Sequence, residues 1–400
     1  MKTLFKTFLT CGLIASGLVF FSGCDDDDDD PGPQLTGDSE TYTLLPVSNP
    51  AISGTVTFAE RDDDQIMITI QLTGTQSGNT HPAHIHANSA AAGGPIVLDL
   101  TSVNGADGKS ETIVNALNDG TALTYDDLLN FDGYVNVHLT ESDLGTLIAQ
   151  GDIGGNELTG DKKEYTLTPV ADPAVTGIAT FEKRKKGTTL VTVALTGTQA
   201  GETHPSHIHE NTIAEGGGIV IDLSAVDGAT GRAVSSVDSL NDGTPITYEE
   251  LLDFNGYLNV HTGSTFVVQG DIGQNELTGD EKVYTLNELN ESGVSGTATF
   301  AKRVNGLTLI TLALEGTVEG GDHPSHIHAN NAATGGGIVL DFNNVNGATG
   351  MSTTSVRALN DGTAITYDEL LTYNGYINVH LSPTNLGVLI AQGDMGSNAP

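Results

Sequence analysis

Histidine is the residue of this chain whose type and spacing point most directly to chemistry. The motif H-P-(A/S)-H-I-H occurs at 81–86, 204–209 and 323–328, and a single further histidine follows each copy. The 12 histidines are His81, His84, His86 and His138; His204, His207, His209 and His261; and His323, His326, His328 and His380. Since none lies outside these repeated positions, the pattern indicates one site present in three copies.

Strand geometry places most of these histidines on one face. In H-I-H the two histidines are separated by one residue, so they share a face of a strand while the isoleucine points to the other. The later segment GYVNVHL alternates two valines with Tyr134, Asn136 and His138. The equivalent residues are Tyr257, Asn259 and His261, and Tyr376, Asn378 and His380. If the two strands are neighbours, three imidazoles meet on the outer face, and His81 joins them from the preceding turn.

Such a cluster of neutral imidazoles is suited to binding a transition metal. Four ring nitrogens form a good shell for copper or zinc, with about one ion expected per copy of the motif. The repeated tyrosines and asparagines would then orient the rings. Two alternatives remain open: the histidines tie strands together through hydrogen bonds to asparagine, tyrosine and loop carbonyls, or they form a pH switch.

The elements that carry these residues also repeat. The segment LTGD starts at Leu35, Leu158 and Leu277, which predicts three tandem domains at 35–157, 158–276 and 277–400. Period-two alternation and glycine-rich turns favour an all-β fold, a Greek-key β-sandwich or barrel in each domain. One short helix per domain is predicted from TYDDLL, TYEELL and TYDELL, in which threonine precedes an acidic residue by three positions.

The N-terminus and the charge indicate where the chain works. Residues 1–23 have the basic start and apolar run of a bacterial secretory signal, and the small residues before Cys24 predict lipidation at that cysteine. Residues 24–34, with six aspartates, read as a flexible acidic tether. We therefore expect a lipid anchor in the outer membrane and exposure at the cell surface. The net charge of −36 argues against nucleic acid as a partner.

The block PAHIHANSAAAGGPIVLDL, followed by GYVNVHL, resembles the CHRD domain, a module of chordin and of many bacterial secreted proteins. The resemblance covers all three repeats and implies a β fold in an extracytoplasmic setting, with no reaction attached. The family commonly carries an arginine after its last histidine, and GTLIAQGDIG lacks it. A weaker similarity to copper-zinc superoxide dismutase stops at the H-x-H strand and the later V-H, because we find no zinc loop, no disulfide and no guiding arginine at a repeated position.

Three functions are therefore considered. The first is a metal-binding surface lipoprotein, and the alternative is a non-catalytic structural or adhesive module that binds another protein, with the histidines bracing the fold. An enzyme ranks last, because no general base or deep pocket is evident. Two sets of repeated aspartates are interpreted as turn and strand-end residues, although either could orient a histidine. They are Asp99, Asp222 and Asp341, and Asp152, Asp271 and Asp394.

Overall fold

The computed structural model describes residues 32–399. The predicted signal at 1–23, the lipidation site Cys24 and residues 24–31 of the predicted tether lie outside the described residues. No helix within the described part is long and apolar enough to span a membrane.

The first repeat, called the first unit, is a closed barrel of antiparallel strands in the order β1-β2-β3-β6-β5-β4-β7-β8. Its elements are β1 (Leu35–Pro46), β2 (Ser53–Arg61), β3 (Ile66–Thr73), β4 (Thr80–Ala87), β5 (Ile96–Asn104), β6 (Lys109–Val114), α1 (Tyr125–Leu129), β7 (Asp132–Thr140) and β8 (Asp143–Gly154). Strand β7 returns to lie beside β4, which brings the H-I-H motif and the later histidine onto neighbouring strands.

The second unit is also a closed barrel, in the order β10-β11-β14-β13-β12-β15-β16-β9. Its elements are β9 (Leu158–Pro169), β10 (Thr176–Arg184), β11 (Thr189–Thr196), β12 (Thr203–Glu210), β13 (Ile219–Asp227), β14 (Arg232–Val237), α2 (Tyr248–Leu252), β15 (Asn255–Thr262) and β16 (Thr265–Gly273). The hairpin after His261 is short, since Thr262 pairs directly with Thr265.

The third unit is a ten-stranded sheet in the order β20-β23-β24-β19-β18-β17-β26-β25-β21-β22. Its elements are β17 (Leu277–Glu288), β18 (Ser295–Arg303), β19 (Thr308–Glu315), β20 (Asp322–His323), β21 (Ser325–Ala329), β22 (Ile338–Asp341), β23 (Val345–Asn346), β24 (Met351–Val356), α3 (Tyr367–Leu370), β25 (Asn374–His380) and β26 (Leu389–Gly396). The order matches the barrels, with two strands each divided into two pieces: β20 with β21, and β22 with β23.

Strand alternation builds one hydrophobic core per unit. Ile85 of H-I-H and both valines of GYVNVHL are fully buried in the core of the first unit. The all-β prediction and the inward direction of these side chains are thereby confirmed. The predicted capping box is present in each helix: Thr124 accepts the Asp127 N–H, and Asp127 accepts the Thr124 N–H, as their counterparts do in α2 and α3.

A buried arginine joins the second unit to the first, and another joins the third unit to the second. Arg184, the last residue of β10, is 0 % exposed and donates to Asp152 of the first unit at 2.9 Å. Arg303, at the end of β18, is equally buried and donates to Asp271 at 2.7 Å. Arg61 holds the same position in the first unit. The sequence-based prediction did not include this repeated arginine, and two of the repeated aspartates have a role that the turn interpretation missed.

Candidate metal centre

The register between β4 and β7 brings the histidines of the first unit together. His84 lies opposite Asn136, and His86 lies opposite Tyr134. His138, two residues beyond Asn136, is diagonal to His84, and the centroids of these two rings are 5.1 Å apart. The condition set by the sequence, that the two strands be neighbours, is met in every unit.

The face that carries these rings is outside the barrel but is not open to solvent. His138 is only 6 % exposed, because the hairpin between β7 and β8 folds over it and presents the Leu144 carbonyl to its Nδ1. The connection between β4 and β5 covers His86 in the same way through the Gly94 carbonyl. The histidines therefore sit in shallow, loop-covered sites, which the alternation of the strands alone did not predict.

Three ring nitrogens in the first unit form a compact set. His84, His86 and His138 each offer one nitrogen, and all three nitrogens lie within 4.8 Å of one another. His326, His328 and His380 form an equivalent set in the third unit. Nitrogen atoms bound to one zinc ion at about 2.0–2.1 Å lie about 3–3.5 Å apart, so small side-chain adjustments complete a shared site.

Backbone carbonyls fix which nitrogen of each ring is available. The Leu144 carbonyl accepts only, so His138 Nδ1, 2.6 Å away, must carry the proton, and Nε2 keeps its lone pair. The same argument holds for His86, whose Nδ1 donates to the Gly94 carbonyl at 2.9 Å. A histidine that ligates a metal typically has its other nitrogen held in this manner.

His84 faces a carboxylate, where His86 and His138 contact a carbonyl. Its Nε2 lies 3.7 Å from Asp99 Oδ1, while Asn118 Nδ2 donates to Asp99 Oδ2 at 3.1 Å and holds the carboxylate in place. A proton on Nε2 leaves the lone pair of Nδ1 available to the cluster. Asp222 and Asp341 face His207 and His326 at 3.6 Å and 3.5 Å. These separations exceed ordinary hydrogen-bond lengths, so the strand-end interpretation and the role of orienting a histidine both stay open for this set.

Most of the nitrogens that face the two clusters lack protein partners; the exception is His86 Nε2, which lies 3.4 Å from Asn136 Nδ2. Across residues 32–399, the buried ring nitrogens without a hydrogen bond include His84 Nδ1 and His138 Nε2 in the first unit. In the third unit all three histidines of the cluster have a buried nitrogen without a hydrogen bond: His326 Nδ1, His328 Nε2 and His380 Nε2. Leaving a buried polar atom unpaired costs about 1–3 kcal/mol. The Nε2 atoms of His81, His204 and His323 are also buried without a hydrogen bond, so the feature particular to the third-unit cluster is that three such atoms lie within 4.8 Å of one another.

The protonation equilibria favour neutral rings. Burial, reinforced by the ring of His138, lowers the pKa of His84 despite the opposing effect of Asp99. Burial and the ring of His380 lower the pKa of His326 in the same way. Burial also lowers the pKa of His138 and that of His380, against the opposing effect of the carbonyl that each contacts. Neutral imidazole is the form that ligates a metal.

The second unit departs from this arrangement. In its short hairpin, His261 Nδ1 contacts the carbonyl of Gly263, two residues later in the chain. In the first unit, His138 Nδ1 contacts the carbonyl of Leu144, six residues later. The His261 ring is therefore turned: it makes an angle of 25° with His207, against 61° for the pair in the first unit. His261 Nε2 contacts His207 Nδ1 at 3.2 Å. Within residues 32–399, three histidine nitrogens within 4.8 Å of one another occur in the first and third units only.

The first histidine of each motif lies apart from the cluster. His81 is buried, and its Nδ1 contacts the Leu139 carbonyl at 2.8 Å. His204 contacts Thr262 Oγ1 at 2.7 Å, and His323 contacts the Leu381 carbonyl at 2.9 Å. These contacts tie the start of the motif strand to the end of the GYVNVHL strand. The structure therefore gathers three of the four predicted histidines per unit, in the first and third units.

The repeated tyrosines and asparagines support the cluster from below. The Tyr134 ring stacks on His86 with centroids 4.8 Å apart, and its hydroxyl accepts the Gly94 N–H. Asn136 accepts from Gln150 at 2.8 Å, and its Nδ2 lies 3.4 Å from His86 Nε2. Tyr257 and Tyr376 stack on His209 and His328 in the same way. Gln150 was not among the residues predicted from the sequence, although Gln269 and Gln392 make the same contact in the other two units.

Fold and site together define a class: tandem all-β units, two of them closed barrels, each with histidines on two neighbouring strands. The CHRD domain family matches residues 34–147 and 156–265, more than half of the chain, so the chain belongs to the CHRD domain family. No curated protein and no solved structure matches the chain significantly.

Proposed function

We propose that this protein binds transition metal ions, copper or zinc, in the histidine clusters of its first and third units. The observation that carries the proposal is the third-unit cluster, where three buried nitrogens without hydrogen bonds lie within 4.8 Å of one another. A nitrogen-only set suits Cu²⁺ and Zn²⁺ better than Mg²⁺ or Ca²⁺, which prefer oxygen. Three protein nitrogens leave a further coordination position for water or a ligand.

Calorimetric titration of the metal-free chain tests this function. We expect two tight equivalents of Cu²⁺ or Zn²⁺ per chain and a third that is at least 10-fold weaker, because the rings of the second unit are not gathered in the same way. The variant His84→Ala/His326→Ala is expected to lose both tight equivalents. The matched control, His81→Gln/His323→Gln, removes two histidines from the same strands and should retain both. Two tight equivalents in the alanine variant would exclude these clusters as the sites.

The weaker site of the second unit is attributed to one loop. Replacing residues 262–266 with residues 139–147 of the first unit restores the hairpin that presents its carbonyl six residues after the histidine. We expect the chimera to bind a third tight equivalent, with affinity raised 10-fold to 100-fold, as for other outer contacts of metal ligands. The same titration measures this. The reciprocal exchange, with the short hairpin placed in the first unit, should leave one tight equivalent.

The location proposed for this function is the cell surface. Residues 1–23 and Cys24 support a lipoprotein signal, and the aspartates that follow support a surface tether in the outer membrane. Radiolabelled palmitate incorporated into the chain, and lost in Cys24→Ala, would establish the anchor. We further propose that the third unit is a CHRD domain like the first two, because its strand order and histidine positions repeat theirs. The return of β7 to lie beside β4 supports a Greek-key connection.

A structural or adhesive module is the second candidate. The buried arginine–aspartate contacts between successive units favour it, because they join the three barrels through specific side chains. Repeated units raise avidity for a partner without new chemistry. Binding of a surface protein that survives both chelation and His84→Ala/His326→Ala would support this function in place of the metal-dependent one.

A further inference from the structure

The C-terminal end of the third unit carries the acceptor groups that bind a buried arginine elsewhere in the chain. Asp394 occupies in the third unit the position of Asp152 and Asp271. Within residues 32–399 it has no arginine partner, and it is partly exposed. We propose that Asp394 and the backbone carbonyl of Asn398 bind Arg61 of a second copy of this chain, so that the protein associates head to tail.

The aspartate is already in the binding orientation. Asp394 Oδ1 accepts the Ala332 N–H at 2.8 Å. In the first unit Asp152 Oδ1 accepts the Ala90 N–H at 2.7 Å, and its second oxygen receives Arg184. The second unit repeats the arrangement, with one oxygen of Asp271 on a backbone N–H and the other on an arginine. One carboxylate oxygen of Asp394 is thus held, and the other is directed where an arginine lies in both earlier units.

The carbonyl that completes the arginine contact is also in place. Asn156 and Asn275 each accept from the Nη1 of the buried arginine through their backbone carbonyl. Asn156 is fixed by its side chain, which donates to the Asn88 carbonyl at 2.9 Å. Asn398 donates to the corresponding carbonyl, that of Asn330, at 2.8 Å, and to Asn374 Oδ1 at 2.8 Å. The acceptor site is therefore formed before any arginine arrives.

Arg61 is the arginine that fits this site by position. It ends β2 as Arg184 ends β10, and the turn that follows it is RDDDQ where the second unit has RKKGT. Arg61 donates to Asp63 of its own turn through Nε and Nη2, at 3.1 Å each. Docking exchanges this exposed carboxylate for that of Asp394, and Asp63 becomes available to the partner.

The residue two positions after the arginine favours binding at the C-terminal end of the third unit over the equivalent end of the first unit. Two positions after the arginine, Lys186 contacts Asp132 at 2.8 Å, and Asn305 contacts Asn255 at 3.1 Å. By the same register Asp63 faces Asn374, whose Oδ1 already accepts from Asn398 and whose Nδ2 can donate to a carboxylate. Each residue at this position thus has a complementary partner: Lys186 contacts the carboxylate of Asp132, and Asn305 contacts the amide of Asn255. In the proposed contact, the Asp63 carboxylate accepts from the amide of Asn374. Asp63 placed against Asp132 would be repulsive, which provides specificity.

The residue one position after the arginine also avoids a contact between like charges in the proposed association. Lys185 contacts Glu157 at 2.5 Å at the junction of the first two units. The corresponding residues in the proposed contact are Asp62 and Ala399, so no like charges meet. The Asp62 N–H now donates to the Gln34 carbonyl at 3.0 Å, and Ala399 would replace Gln34 as the acceptor. The exchange costs one exposed backbone hydrogen bond and regains one.

Sedimentation velocity of a metal-free chain beginning at residue 25 tests the proposal independently of metal binding. We expect the sedimentation coefficient to rise with protein concentration, and more steeply at 0.15 M salt than at low salt. Screening reduces the repulsion between these chains, whose formal charge is −38 once Lys2 and Lys6 are removed. Arg61→Met and Asp394→Asn should each lower the association constant at least ~30-fold, the loss typical of one partner of a buried charge pair. Asparagine keeps the acceptor for the Ala332 N–H, so the fold is retained.

Mixing the two variants gives the decisive result. Arg61→Met has an intact C-terminal end and Asp394→Asn an intact Arg61, so an equimolar mixture should form dimers and stop there, while each variant alone stays monomeric. A native chain that stays monomeric up to 1 mM overturns the proposal. Association that is unchanged in both variants also overturns it, because another surface would then be responsible.

Discussion

Replacing Asp152 with alanine is expected to lower the free energy of unfolding by about 3–5 kcal/mol, the cost of leaving a buried charge without its partner. Arg184 is 0 % exposed, and its Nε and Nη2 already lack hydrogen-bond partners within residues 32–399. Asp152 and the Asn156 carbonyl are therefore the groups that stabilise this guanidinium. Urea unfolding followed by circular dichroism measures the change.

Burial works against both members of this pair. It raises the pKa of Asp152 and lowers that of Arg184, although each charge favours the other. The pair is therefore expensive to desolvate, and its removal as a whole should cost much less than removal of one side. We expect Asp152→Ala/Arg184→Met to recover most of the stability lost in Asp152→Ala.

The chain contains its own control for this experiment. Asp394→Ala removes the equivalent carboxylate and the equivalent bond to a backbone N–H, but no arginine of the same chain. At low protein concentration its effect should stay near 1 kcal/mol, the value of one hydrogen bond. A loss in Asp152→Ala no larger than that in Asp394→Ala would show that the arginine contact adds no stability to the junction.

The sequence predicts that the histidines of the cluster share one face, because the alternation of side chains between the two faces of a strand is a local property. The alternation of Ile85 between His84 and His86, and of the valines around Asn136, was enough to put the imidazoles on one face. The capping threonines were predictable for the same reason, since each box spans four residues. These features depend on backbone geometry within one strand or one turn.

Contacts between segments far apart in the chain were harder to predict. The loops that cover His138 and His86 act through backbone carbonyls, which leave no residue-type signal. His81 lies apart from the cluster, with its Nδ1 on the Leu139 carbonyl, and the pairing of β4 with β5 is irregular between His81 and Ala83. Arg184 and Asp152 did carry a signal, because each recurs at the equivalent position of all three units. The sequence did not predict their contact, because it depends on how two successive units pack against each other.

Metal ions are expected to stabilise the native chain strongly and the cluster variant hardly at all. A ligand that binds only the folded state adds about 4 kcal/mol at a free concentration 1,000 times its Kd. The first and third units should gain this amount at their clusters, since only the folded arrangement brings three ring nitrogens from two strands within 4.8 Å of one another. Chemical unfolding with Cu²⁺ or Zn²⁺, and with a chelator, measures the difference.

The variants assign this stabilisation to named nitrogens. His84→Ala/His326→Ala should unfold at the same denaturant concentration with metal and with chelator, whereas His81→Gln/His323→Gln should keep the full response. Removing unpaired buried nitrogens also relieves a cost in the metal-free protein, so the alanine variant should lose less metal-free stability than truncation of two buried side chains normally causes. An undiminished response to metal in the alanine variant would mean that the ion binds elsewhere and that the clusters only brace the barrels.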